Sequence, residues 1–142
     1  MAIDHLIDFE NRSMSELTNT FLKNSSHFNS KNYLVTGGSS GIGKAVVLGL
    51  HSLGANVFII DKDIAGDRLV CDDGNFIKFV KCDLSQDEDI RKMLNQIGNE
   101  LVVVDGIINC AAEFPFSTLQ DINIELWDRI HQVNLRACLL YT

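Results

Sequence analysis

The segment Tyr33-Leu34-Val35-Thr36-Gly37-Gly38-Ser39-Ser40-Gly41-Ile42-Gly43-Lys44 joins a short apolar run to a helix-forming one through a glycine-rich turn. A strand that passes into a helix over so tight a turn points several backbone N–H groups at one spot, and the positive end of the helix dipole adds to them. An anion fits such a place, and the spacing reads as a pyrophosphate cradle. Gly37 permits the turn, Gly41 lets the backbone approach the phosphates, and Gly43 lets helix and strand pack closely. Thr36, Ser39, Ser40 and Ile42 complete the candidate cradle.

Beyond this turn the chain alternates strand-like and helix-like segments. Apolar runs at 33–36, 56–60, 76–80 and 101–109 predict strands, and amphipathic stretches at 41–53 and 85–97 predict helices. A last helix is expected from about Ile122, carrying Leu126, Trp127, Ile130, Val133, Ala137 and Leu140, and it is still running at Thr142. Strands this apolar are buried on both faces, which implies a parallel α/β sheet covered by helices. The expected strand order is 3-2-1-4, as in the first half of a doubly wound sheet. The fourth strand, at 101–109, is then expected to leave an open apolar edge.

Asp61 closes the apolar run Val57-Phe58-Ile59-Ile60. A carboxylate at the tip of the second strand, about 20 residues past the glycine turn, accepts hydrogen bonds from ribose hydroxyls and repels a 2′-phosphate. NAD is therefore the expected cofactor. Lys62, next in sequence, keeps NADP as the alternative.

The 142 residues suffice for one domain, taken as residues 31–142, behind a leader at 1–30 with amphipathic helical spacing and a polar linker. A formal net charge of -7 disfavours nucleic acid and anionic membranes as partners. No run is long and apolar enough to cross a bilayer, and the acidic residues among the first ten fit neither a secretory nor a mitochondrial signal. The four cysteines, Cys71, Cys82, Cys110 and Cys138, show no CxxC or Cys/His ligand spacing. They are read as reduced thiols of a cytoplasmic protein, and no metal site is expected.

The spacing GxxxGxG after Thr36 and a strand resembles the short-chain dehydrogenase/reductase family, whose signature is TGxxxGxG; the extended branch carries glycine where Ser40 stands. Three further stretches carry the resemblance along residues 31–142. Asp83-Leu84 follows the third strand, where the family recognises adenine with an aspartate and the next backbone N–H. Asn109-Cys110-Ala111-Ala112 resembles the family's NAAG or NNAG, with Ala112 in place of glycine. Trp127-Asp128 and Val133-Asn134-Leu135 resemble the helix whose asparagine supports the active-site water and lysine. Each residue also has an ordinary structural role: Asp61 and Asn109 as turn formers, Asp83 as a helix cap, and Asn134 as a buried polar group bonded to backbone.

The resemblance implies a Rossmann-type domain cut after the fourth strand and part of the following helix. It also implies NAD-linked hydride transfer between an alcohol and a ketone. The implied cofactor contacts are Thr36, Gly37, Ser39 to Gly43, Asp61, Lys62, Asp83, Leu84, Asn109 and Ala111, with Asn134 in a supporting catalytic role. The family's serine and Tyr-x-x-x-Lys pair cannot be assigned: Tyr33 precedes the turn, Tyr141 has only Thr142 after it, no lysine follows Lys92, and Ser117 comes too early. The chain is expected to be catalytically incompetent alone. The family pairs subunits through the helix begun near Ile122 and the next one, so a homo-oligomer or a missing C-terminal half is an implied partner. Two other readings remain: a non-catalytic dinucleotide-binding regulator, and an interaction protein that uses the exposed strand edge.

Overall fold

The computed structural model describes residues 25–101, 103–116, 118 and 120–142. The expected helical leader lies largely outside the described residues. From residue 26 onward the polar stretch read as a linker lies against the domain: Phe28 packs on Tyr33 with ring centroids 6.0 Å apart, and the Ser30 N–H donates to the Gly54 carbonyl.

Five strands form one sheet: β1 (Asn32–Thr36), β2 (Asn56–Asp61), β3 (Cys71–Asp72), β4 (Phe76–Lys81) and β5 (Gly106–Asn109). Their order is β3-β4-β2-β1-β5, with β1 parallel to β2 and β5, and β2 parallel to β4. This is the expected 3-2-1-4 arrangement, a Rossmann-like half-sheet, with one addition. The short β3 pairs antiparallel with β4 through a turn at Asp73-Gly74, where Gly74 has φ 116°.

The β1-to-β2 and β4-to-β5 crossovers pass through α1 (Gly41–Ser52) and α2 (Asp87–Glu100), which cover opposite faces of the sheet, while β2 reaches β4 through a 3-10 turn, Ile64–Leu69, and β3. In β2 the pleat sends Val57 and Ile59 toward α1 and Val47, and Phe58 and Ile60 toward α2 and its Ile90, Met93 and Ile97. All four strand residues are therefore buried, which is why the run is apolar without alternation. Three acids in the first turn of α2, Asp87, Glu88 and Asp89, sit at its positive dipole end. After β5 comes α3 (Ile124–His131), which begins two residues later than expected. The Asn123 side chain caps it by accepting from the Leu126 N–H at 2.8 Å. It continues into a π-helical stretch, Gln132–Arg136, and a closing turn, α4 (Ala137–Tyr141).

The strand expected over 101–109 is shorter than its hydrophobicity suggests. Asp105 receives Lys31 Nζ at 2.7 Å and the Asn32 N–H at 2.9 Å, which pins the chain at the foot of β1, and the ladder starts only at Gly106. Val103 and Val104 stay outside it, 57% and 40% exposed.

Candidate functional site

A cleft of about 460 Å³ opens where the carboxyl ends of β1, β2, β4 and β5 meet. It lies at the point where the strand order reverses about β1, the usual ligand crevice of an open parallel sheet.

The β1-to-α1 turn forms one wall. Gly37 has φ 68°, and a Cβ there would stand 2.7 Å from the Ala111 backbone nitrogen, so both conformation and space demand glycine. A Cβ on Gly43 would stand 2.1 Å from the Gly37 carbonyl oxygen, so α1 rests directly on the turn. At Gly41 nothing lies within 4 Å of a Cβ position, and the residue borders the cleft. Ser40 precedes α1 in extended conformation and makes no side-chain cap bond. The first N–H groups of the helix therefore meet the cleft with the dipole behind them, at a wall that Ser40, Ile42 and Gly43 also line.

Two residues of the motif face elsewhere. Thr36 is buried, and its Oγ1 accepts from the Cys110 and Ala111 N–H groups, each at 3.2 Å, tying the end of β1 to the loop after β5. Ser39 is also buried; its Oγ donates to the Asp63 carbonyl at 3.0 Å and its N–H to Asp61 Oδ2 at 3.1 Å. Neither side chain borders the cleft, and both hold its wall from behind.

Asp61 stands at the tip of β2 on the cleft. Oδ2 holds the Ser39 N–H, and Oδ1 holds the Asp63 N–H at 3.1 Å. Lys62 borders the cleft too, and its Nζ pairs with Glu113 Oε1 at 2.9 Å. Asp83 and Leu84 line the floor beyond β4. Asp83 Oδ1 accepts from the Ser85 N–H at 2.9 Å and the Ser85 hydroxyl at 2.8 Å, so it organises the turn into α2 rather than capping the helix itself.

The opposite wall is the loop after β5, with Cys110, Ala111, Ala112 and Glu113. Among the described non-glycine residues only Ser30 has positive φ, so alanine at 112 is accommodated in ordinary backbone. Asn109 does not line the cleft; its Oδ1 accepts from the Tyr141 hydroxyl at 2.8 Å. Burial pushes the Tyr141 phenol well above its ordinary value, with the neighbouring Cys138 thiol adding to the shift. Burial likewise pushes the Cys82 thiol, on the cleft floor, up to about 12, with Asp89 and Asp83 adding to it; this sulfur is a packing atom rather than a nucleophile.

Glu113 was not singled out from the sequence, and it organises this side. Arg129 grips its carboxylate with two nitrogens, Nε at 2.7 Å and Nη2 at 2.8 Å, while Lys62 reaches it from across the cleft. The Arg129 hydrogen bond chiefly lowers its carboxyl below the ordinary value; burial opposes this and Lys62 adds to it. Asn134 holds the same residue by its backbone: Oδ1 accepts from the Glu113 N–H at 2.8 Å and Nδ2 donates to the Glu113 carbonyl at 2.9 Å. The expected supporting asparagine is thus a positioning residue for the loop, set in the π-helical stretch. A charged residue directly after the small residues Cys110-Ala111-Ala112 was the one available signal for Glu113.

The family model for "short chain dehydrogenase" matches residues 31–142. Over 118 residues the chain is 33% identical to the 2,5-dichloro-2,5-cyclohexadiene-1,4-diol dehydrogenase of Sphingobium indicum, covering 81% of this chain and 47% of that protein. Among solved structures, it is similar to a blue fluorescent protein from a metagenomic library in complex with NADPH: TM-score 0.74, 26% identity, 80% of this chain and 49% of the other. It is also similar to a 3-ketoacyl-(acyl-carrier-protein) reductase from Brucella melitensis complexed with NADH, with TM-score 0.71, 26% identity, and 80% and 48% of the two chains covered. The chain spans about half the length of these relatives.

Proposed function

The chain belongs to the short-chain dehydrogenase family, and from that premise we propose that its cleft binds a nicotinamide dinucleotide, NAD(H) in preference to NADP(H), as the cofactor half of an alcohol–ketone oxidoreductase. The uncapped start of α1 would hold the pyrophosphate, Asp61 and Asp83-Leu84 the adenosine, and the Ala111-to-Glu113 loop the nicotinamide end.

Asp61 carries the preference. A carboxylate has about four acceptor sites, and two are taken here by backbone N–H groups that fix its orientation, which leaves capacity for ribose hydroxyls. Its charge repels a 2′-phosphate, and Lys62, the cation next to it in sequence, is already engaged by Glu113. The relatives in solved structures hold NADPH in one case and NADH in another, so the choice rests on this chain's own residues.

When bound, the nicotinamide exchanges a hydride with the substrate carbon. The chain's residues position that ring through the loop that Asn134 holds. A proton donor for the carbonyl oxygen is a separate need, and residues 1–142 contain no Tyr-x-x-x-Lys pair. Tyr141 keeps its proton, half-buried beside Asn109 and Cys138. The polypeptide 1–142 is therefore a cofactor binder without turnover. Four free cysteines suit a reducing cytoplasm.

Calorimetric titration with NAD and NADP is the test. NAD should bind more tightly, and Asp61→Ala should narrow the difference. Equal or tighter NADP binding by the unaltered chain would sink the assignment of Asp61. Absorbance at the NADH band, followed with simple alcohols and ketones, should show no protein-dependent change.

A further inference from the structure

At the other end of the sheet from the cleft, three side chains of metal-ligating type converge. His51 lies in the last turn of α1, Cys71 in β3, and Asp73 in the turn between β3 and β4. His51 Nε2 is 3.3 Å from Cys71 Sγ, 3.4 Å from Asp73 Oδ1 and 3.2 Å from the Asn75 carbonyl oxygen. The three side-chain ligand atoms all lie within 4.8 Å of one another.

Hydrogen bonding alone serves this grouping poorly. A ring nitrogen carries at most one proton, so Nε2 can donate to only one of the carboxylate and the carbonyl. If Nε2 instead accepts the thiol proton, it faces both oxygens with a lone pair. A Cys-His-Asp relay is also ruled out, because a relay needs the carboxylate on the other ring nitrogen, and here thiol and carboxylate meet the same one. A cation at the common centre satisfies every atom. Metal bonds of about 2.0–2.3 Å in a tetrahedral site set ligand atoms about 3.3–3.7 Å apart, close to the His51 separations.

We infer that His51, Cys71 and Asp73 form a binding site for a divalent transition ion of the zinc type, with the Asn75 carbonyl or a water as fourth ligand. Binding replaces the thiol proton, which passes to solvent, so the sulfur ligates as thiolate. The surroundings are already fixed in the ligating arrangement. Asn75 Nδ2 donates to the His51 and Ala55 carbonyls at 3.0 and 2.9 Å, holding the hairpin to the end of α1, while the imidazole is largely shielded with 18% of its side chain exposed. The ion clips the β3–β4 hairpin to the helix, and its role is structural.

Cobalt(II) is a suitable probe because a thiolate ligand gives it an intense charge-transfer absorption. Titrated into the chelator-treated chain under a phosphine reductant, Co2+ should produce that band at one equivalent, and Zn2+ should displace it. Cys71→Ser should abolish the band and His51→Ala should weaken binding at least tenfold, whereas Cys110→Ser should leave it intact. Zinc should raise the melting temperature of the unaltered chain and have a smaller effect on Asp73→Asn, an exposed position whose substitution spares the core. Absence of the band in the unaltered chain overturns the site. So does its persistence in Cys71→Ser, or an undiminished zinc effect on melting in Asp73→Asn.

Discussion

A side chain at position 43 must displace the Gly37 carbonyl, because a Cβ there would lie 2.1 Å from its oxygen. Gly43→Val therefore pushes α1 away from the turn and spoils the aim of its N–H groups. Dinucleotide affinity should fall at least tenfold, or about 1.4 kcal/mol, by calorimetry. A folded variant with unchanged affinity would show that the turn is not the phosphate cradle. Glu113 gives a second test at this scale. Its carboxyl is held below the ordinary value of 4.5, first by Arg129, so the stability it contributes is fully present above the unfolded pKa and lost as pH falls through the lower folded one. Urea midpoints followed from neutral pH into the acid range should decline less steeply for Glu113→Gln. The same substitution frees Lys62 beside Asp61 and should narrow the preference for NAD; an unchanged preference would show that the ion pair does not restrain Lys62.

Elements whose period and ends agree were legible. The helix expected over 85–97 appears as Asp87–Glu100, burying Ile90, Met93 and Ile97 at helical spacing. The strand expected over 56–60 appears as β2, one residue longer. Hydrophobicity misled at 101–109, because it cannot register that Asp105 is fastened to Lys31, just before β1, and to Asn32, its first residue. The two-residue β3 is too short to leave a periodic trace, although Asp73-Gly74 is a hairpin dipeptide. The start of α3 is set by Asn123, and removing that oxygen leaves the Leu126 N–H without its cap. Asn123→Ala should cost about 0.5–2 kcal/mol by denaturant unfolding, and no change would mean that the helix end is held by packing alone.

On the scale of the molecule, the ladder ends at β5, which pairs only with β1 among the described residues. Beside it an apolar groove of about 340 Å³ runs between α2, the exposed Val103 and Val104, and Tyr141. An open apolar edge invites self-association. Val103→Lys combined with Val104→Lys should lower light scattering at equal protein concentration while leaving dinucleotide affinity unchanged, since neither residue borders the cleft. Unaltered scattering would show that aggregation arises elsewhere.

Residue type and spacing were enough to place the strand-turn-helix, the helix-covered parallel sheet and the carboxylate at the tip of β2, because local geometry and burial on two faces leave direct traces there. Tertiary structure alone decided which members of the motif reach the cleft: Thr36 and Ser39 are turned behind it by bonds to Cys110, Ala111 and Asp63. It also brought Lys62 to Glu113, 51 residues away, and His51 to Cys71, 20 residues away. Such pairings depend on how crossover helices and a hairpin return the chain to the same place. Side-chain periodicity records which face of an element is buried, and it carries no record of what lies opposite.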